Sequence, residues 1–284
     1  MALRSVFAAL AAVALGAGCA DGVYGDTASD ELERGGPEPV IVTLGGFTSC
    51  ASAPQGPTPA GTARWERSAR ISLRFTRGDA RWVRGCFDAA SRLHWVSSAA
   101  PGVVRSTTVD DLVPFFNAVA ERVGDPRRPL YVIGHSYGGW VAARTAARFA
   151  PSANLRLLFT VDPISPYDCT VGSYLRAAAS PVTAPWSLAG CQRAPADLSL
   201  SDRARIVENV PEGGWRHYYQ RNFIPLRSSP FEGAQRPHRS FDVSPLLTRN
   251  GGAHPSWNAH VGIDELSLVW YSFEASIEHD LSAP

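Results

Sequence analysis

The chain has 284 residues, 45% of them hydrophobic, so it can bury the core of one domain of ordinary α/β size. Its formal net charge is +1. This balance excludes the strongly basic surface that nucleic-acid-binding proteins use, and no nucleic-acid partner is expected.

The N-terminus has the pattern of a secretory signal peptide. Residues 1–4 carry a positive charge, and residues 6–17 form an apolar run. The run is too short to cross a membrane, which takes about 20 apolar residues. It ends in Leu15-Gly16-Ala17-Gly18-Cys19, which is similar to the lipobox of bacterial lipoproteins, although Gly16 holds the place where the lipobox has a large aliphatic residue.

This resemblance implies that residues 1–18 are a signal peptide and that Cys19 is lipidated. The protein would then be a lipoprotein of the bacterial cell envelope, attached to a membrane through its N-terminal lipid. It would be secreted if the lipobox is not used. Residues 19–38 are polar and rich in glycine and acidic side chains, and they are predicted to be a flexible tether.

The cysteine content agrees with export. Four cysteines remain besides Cys19, an even number that suits disulfides in an oxidising compartment. Three pairings are open, of which Cys50–Cys86 with Cys169–Cys191 closes the shortest loops. No Cys and His spacing indicates a metal site, and no cofactor is expected.

The first half of the folded region contains strand and helix patterns. Residues 39–44 form a continuous apolar run, typical of a strand buried in a parallel sheet, and Gly45-Gly46-Phe47 follow it. Strands are also predicted at 69–75 and 94–96, and a short helix at 86–92. Apolar residues recur at helical spacing over 108–123, with Asp110 and Asp111 in the first turn, where acids are favoured.

The most informative motif follows this helix. Residues 130–133 are apolar and lead into Gly134-His135-Ser136-Tyr137-Gly138-Gly139, after which residues 140–150 are amphipathic. A strand, a glycine-flanked serine and a helix make up a nucleophile elbow, in which the serine hydroxyl projects above the sheet edge. At the start of a helix, the serine would also benefit from free N–H groups where negative charge develops.

These residues resemble the α/β-hydrolase family of serine esterases and lipases, whose elbow commonly reads Gly-His-Ser-x-Gly-Gly. The resemblance implies an α/β-hydrolase fold over residues 39–284, with a mostly parallel central sheet flanked by helices. It also implies an oxyanion hole made by the amides of Tyr137 and of Phe47, or of Gly46 in place of Phe47.

The other two members of a catalytic triad are sought further along the chain. Residues 155–161 form a buried strand that ends at Asp162, in the Asp-Pro context in which pancreatic-type lipases carry their triad acid. His260 precedes a predicted helix over 265–279 and matches the position of the family's catalytic histidine. His254 is the alternative candidate for that histidine. The alternative acids are Asp168, Asp197, Asp202 and Asp242.

Two further segments complete the prediction. Residues 167–211 are predicted to be irregular and to cover the sheet edge as a cap or lid, and residues 215–223 to form a strand. The order Ser136, Asp162, His260 is the one that the α/β-hydrolase fold requires, and the resemblance implies a hydrolase that forms an acyl-enzyme. The position of Asp162 and the lipobox-like sequence favour a lipase or carboxylesterase that cleaves a small-molecule or lipid ester. A thioesterase or other acyl hydrolase with the same triad, and a non-catalytic surface lipoprotein that binds a ligand, remain the alternatives.

Overall fold

A computed structural model describes residues 37–47, 49–53, 56–58, 81–88, 90–165, 198–222, 236–247, 260, 262–263 and 266–282. The predicted signal peptide, most of the tether, the strand at 69–75 and most of the predicted lid lie outside these residues. So do Cys19, Cys169, Cys191 and His254. Their assignments stay predictions.

Ten strands and five helices occur in the described residues. The strands are β1 (Val40–Leu44), β2 (Ala51–Ala53), β3 (Gly56–Thr58), β4 (Trp82–Phe87), β5 (Leu93–Ser97), β6 (Ala100–Thr107), β7 (Pro129–His135), β8 (Asn154–Val161), β9 (Trp215–Tyr219) and β10 (Arg239–Asp242). The helices are α1 (Val113–Val123), α2 (Tyr137–Phe149), α3 (Leu200–Asn209), α4 (Ser244–Leu247) and α5 (Ser267–Leu281).

Eight of these strands form one sheet in the order β10-β9-β8-β7-β1-β4-β5-β6. The neighbours from β10 to β4 are all parallel, whereas β5 is antiparallel to both β4 and β6. β2 and β3 form a separate antiparallel pair. The chain therefore has a mixed α/β fold with a mostly parallel sheet. This confirms the predicted α/β class and the predicted strand direction in most of the sheet.

Apolar side chains cover both faces of the sheet. Val40 and Val42 point into a core that also contains buried residues of α1, α2 and α3. Ile41, between them, points into a second core with Phe273 and other residues of α5. Because successive side chains of a strand face opposite sides, a strand buried on both faces is expected to be mostly apolar, as residues 40–44 are with the exception of Thr43.

One predicted helix is wrong. The described residues of the range 86–92 are not helical, because Cys86 and Phe87 belong to β4, which pairs with β1 on one side and β5 on the other. The chain then turns at Asp88, whose carboxylate accepts hydrogen bonds from the amides of Ala90 and Arg92. Pairing with strands distant in sequence outweighs the local pattern here.

Two boundaries and one further helix differ from prediction. α1 begins at Val113 instead of 108, because Pro114 suits the first turn of a helix and β6 occupies residues up to Thr107. Asp110 and Asp111 consequently precede the helix. Residues 200–209, predicted as irregular, form α3, where the Ser199 hydroxyl caps the Asp202 amide. β9 ends at Tyr219, short of residue 223.

No helix within the described residues is long and apolar enough to cross a membrane.

Candidate active site

The site is built around a sharp turn between β7 and α2. Ser136 lies between these elements with φ 55° and ψ −125°. A Cβ atom on Gly138 would lie 2.5 Å from the carbonyl oxygens of Leu44 and Gly45, and one on Gly134 would collide with the Gly138 carbonyl. The two glycines that flank Ser136 therefore allow β1, β7 and α2 to approach closely, as the motif predicts.

The hydroxyl of Ser136 is directed towards a histidine. Ser136 occupies the N-cap position of α2, where a serine side chain usually accepts a hydrogen bond from the first turn, but its hydroxyl does not cap the helix. Its Oγ instead lies 2.8 Å from Nε2 of His260, and the serine is 4% exposed. The helix therefore has no side-chain cap from Ser136, and the hydroxyl contacts the imidazole instead.

The other side of the His260 ring contacts a buried carboxylate. Nδ1 of His260 lies 2.7 Å from Oδ2 of Asp162, and the two residues are 1% and 0% exposed. An ionised carboxylate can only accept a hydrogen bond, so Nδ1 carries the proton and Nε2 is free of one. In this tautomer, Nε2 accepts the hydrogen bond that the Ser136 hydroxyl donates.

Unusual backbone conformations coincide with these side chains. Ser91, Ser136 and Asp162 have positive φ angles and are the non-glycine residues that do so in the described part of the chain. Two of the three therefore belong to the Ser136–His260–Asp162 group. Such conformations cost about 1–3 kcal/mol each and are concentrated at functional sites.

The loop after β1 lies against the serine. A Cβ atom on Gly46 would lie 2.7 Å from Cβ and 3.3 Å from Oγ of Ser136, so the loop leaves no space for a side chain there. The Phe47 ring packs on the Tyr137 ring with centroids 5.6 Å apart. The structure thus places the alternative residue Gly46 against Ser136 and packs the side chains of the two predicted oxyanion-hole residues, Phe47 and Tyr137, on each other.

A disulfide fixes the far end of this loop. Cys50 is bonded to Cys86 of β4, which is one of the pairings left open by the sequence. The amide of Cys50 also donates to the Phe87 carbonyl, and the Ser49 hydroxyl accepts from the Phe87 amide. The segment that carries Phe47 is therefore held between β1 and β4.

Two side chains that the sequence analysis did not select also contact the site. Nε2 of Gln220 donates to Oδ2 of Asp162 over 3.0 Å. Nε2 of His135 donates to the backbone carbonyl of His260 over 2.9 Å, and the two rings have centroids 4.8 Å apart. No sequence signal pointed to Gln220, because the predicted strand over 215–223 includes it. In the structure Gln220 directly follows β9, at the same sheet edge as Asp162.

The alternative acids within the described residues lie elsewhere. Asp202 is on α3, with an oxygen 3.9 Å from the Arg144 guanidinium. Asp242 ends β10 and pairs with Arg221 at 3.3 Å. Asp168 and Asp197 lie outside the described residues. No group of three or more His, Cys, Asp or Glu side chains in the described ranges could hold a metal ion.

Comparisons with known proteins add little. No protein-family model matches the chain, and no curated protein does. A solved structure of a bacterial heroin esterase aligns with a TM-score of 0.34 and 16% identity, over 85% of this chain and 75% of that one. A similarity this weak carries no argument, so any functional inference depends on the site itself.

Proposed function

We propose that this chain is a serine hydrolase of the α/β-hydrolase fold that cleaves carboxylic esters, with Ser136, His260 and Asp162 as its catalytic triad. The observation that carries the proposal is the continuous hydrogen-bonded series from Ser136 Oγ through both ring nitrogens of His260 to Asp162, at 2.8 Å and 2.7 Å. The mostly parallel sheet supports the fold assignment, although its strand order is only partly typical of that family.

In the proposed reaction, Ser136 Oγ attacks the ester carbonyl while His260 Nε2 takes the hydroxyl proton. Asp162 stabilises the imidazolium that results and holds the ring in the required tautomer. The amides of Tyr137 and Phe47 donate to the oxyanion of the tetrahedral intermediate, a contribution of about 3 kcal/mol per donor.

The intermediate then collapses to products. The C–O bond to the alcohol breaks as His260 returns the proton to the leaving oxygen, which leaves an ester between the acyl group and Ser136. Water then attacks the acyl carbon while His260 takes one of its protons. The bond from the acyl carbon to Ser136 Oγ breaks as His260 returns the proton to Oγ, which releases the acid and restores the serine. No cofactor takes part in this scheme.

The test is hydrolysis of p-nitrophenyl esters from acetate to palmitate by the protein and by Ser136→Ala. We expect hydrolysis by the first and none by the second, with a fluorophosphonate probe bound covalently to Ser136. The preferred chain length distinguishes an esterase from a lipase. Labelling without ester hydrolysis would indicate another acyl group, such as a thioester, and the absence of both would favour a ligand-binding lipoprotein.

A further inference from the structure

We propose that Gln220 is a positioning residue of this hydrolase, whose side-chain amide holds the Asp162 carboxylate in the orientation that His260 requires. Its kinetic consequence rests on the function proposed above, whereas its structural consequence does not.

The contact that suggests this role is direct and buried. Gln220 Nε2 lies 3.0 Å from Oδ2 of Asp162, the same oxygen that lies 2.7 Å from His260 Nδ1. Gln220 and Asp162 are both 0% exposed. Two donors therefore converge on one carboxylate oxygen at a place that bulk water does not reach.

The sheet fixes the backbone on both sides of this contact. β9 pairs with β8, Val161 facing Tyr218, and the Asp162 amide donates to the Tyr218 carbonyl over 2.7 Å. On the other edge of β9, the Val243 amide donates to the Tyr219 carbonyl. Gln220 thus follows a strand held between two neighbours, which limits how far its amide can move from Asp162.

The physical role follows from the burial of the carboxylate. An ionised carboxylate removed from water needs hydrogen-bond donors, since burial without them favours the neutral acid. A neutral amide supplies such a donor without a competing positive charge. It also resists rotation about χ2 of Asp162, which would turn Oδ2 away from the His260 ring.

If Gln220 only filled space, its substitution would change kcat differently. Two variants distinguish this role from the positioning of Asp162. Gln220→Met keeps nearly the same volume and removes the side-chain amide with its donor, whereas Gln220→Ala removes both volume and amide. If Gln220 positions Asp162, both variants should lower kcat about 10- to 100-fold, the range that a hydrogen bond to a charged group carries, with KM nearly unchanged. If Gln220 only fills space, Gln220→Met should retain wild-type kcat.

The matched control removes a side-chain amide elsewhere. Asn209 ends α3 and donates to the Arg205 carbonyl on an exposed surface, before the start of β9 and so at the opposite edge of the sheet. Asn209→Ala should leave kcat unchanged. Should Gln220→Met fail to fold, Gln220→Glu keeps the shape but replaces the donor by a charge that repels Asp162, and it should lower kcat at least as much.

A second readout does not depend on turnover. The Nδ1 proton of His260 should give a low-field proton NMR signal because of its hydrogen bond to Asp162, and His260→Ala assigns it. We expect the signal in the wild type and its broadening or loss in Gln220→Met. Either a retained signal or wild-type kcat in Gln220→Met would overturn the proposal.

These readouts also separate this proposal from the proposed function. If the wild type neither hydrolyses esters nor reacts with the fluorophosphonate probe, the hydrolase assignment fails. The NMR comparison still decides the role of Gln220 in that case, since the contact between Asp162 and His260 exists without a substrate: loss of the signal in Gln220→Met supports it, and retention overturns it.

Discussion

The fully buried carboxylate of Asp162 contacts the imidazole of His260, which in turn contacts Ser136. Both the charge and the shape of this carboxylate should therefore affect kcat. We predict that Asp162→Asn lowers kcat by about four orders of magnitude, because the new amide group can donate to Nδ1 and favour the wrong tautomer of His260. Ester hydrolysis measures this directly. Asp242→Asn, which changes a carboxylate at the end of β10, is the control and should retain activity. An almost fully active Asp162→Asn enzyme would transfer the acid role to another carboxylate.

His135 contacts His260 in two ways, through a hydrogen bond to its backbone carbonyl and through packing of the two rings. Its ring nitrogen donates to the His260 carbonyl over 2.9 Å, which fixes the segment that carries the imidazole. We predict that His135→Phe, which keeps an aromatic ring but removes the donor, lowers kcat up to about tenfold, the worth of one neutral hydrogen bond. The same substitution at His279, on α5, is the control. Unchanged kcat in His135→Phe would show that only the ring packing matters.

Among single residues, the sequence analysis selected those positions at which the proposed chemistry requires a particular residue type. Ser136 follows from its flanking glycines, and Asp162 and His260 from their chain order relative to adjacent elements; the structure places the three within hydrogen-bonding distance. Gln220 and His135 could not be selected in this way. Their relevance depends on the direction of a side chain in three dimensions, and a glutamine after a strand or a histidine before a serine has many other uses.

Among the elements, those with a local signal were predicted and those defined by distant pairing were not. β1, β7 and β8 are largely buried on both faces and are mostly apolar, and α5 has a regular apolar face. β4 was misread as a helix in part because its stability comes from β1 and β5. α3 was missed because Ile206 is its one fully buried residue, so its pattern resembles that of a polar loop.

The loop from β1 to Cys50 links the disulfide to the proposed oxyanion hole. Cys50 and Cys86 attach the loop to β4, only three residues after Phe47. We predict that the double variant Cys50→Ser/Cys86→Ser loses about 2–4 kcal/mol of stability and several-fold in kcat, because the Phe47 amide is less well fixed. Urea unfolding and ester hydrolysis measure the two effects. Lower stability with unchanged kcat would show that the disulfide serves the fold alone.

For the whole molecule, the predicted location depends on residues outside those described. The lipobox-like sequence around Cys19 predicts that the mature protein begins there and carries a diacylglyceryl group. Mass spectrometry of protein extracted from the membrane fraction should show that added mass, and Cys19→Ser should release the protein into the soluble fraction. A mature protein with an unmodified N-terminus would support secretion instead.

The second face of the sheet is joined to α5 by a polar cluster. Tyr131 of β7 donates its hydroxyl proton to Asp280 over 2.8 Å, and Arg156 of β8 donates to the same carboxylate over 2.9 Å. Burial, together with the charge of Asp280, raises the pKa of Tyr131 above its usual range. Arg156 faces Asp280 and stays charged, since the hydrogen bond to Asp280 raises the pKa of its guanidinium.

This cluster predicts how stability depends on alkaline pH. Tyrosines of the unfolded chain ionise near pH 10, whereas Tyr131 in the folded protein keeps its proton. The contribution of Tyr131 to the free energy of unfolding is therefore complete below about pH 10 and is lost as the pH rises further, at up to about 1.4 kcal/mol per pH unit.

We predict that Tyr131→Phe is less stable than the wild type at neutral pH, by about 1 kcal/mol for the lost hydrogen bond, but that its stability declines less steeply above pH 10. Urea unfolding between pH 7 and 11 measures both effects, with Tyr271→Phe, at a position 68% exposed, as the control. Equal alkaline slopes for Tyr131→Phe and the wild type would mean that Tyr131 ionises as readily in the folded protein as in the unfolded chain.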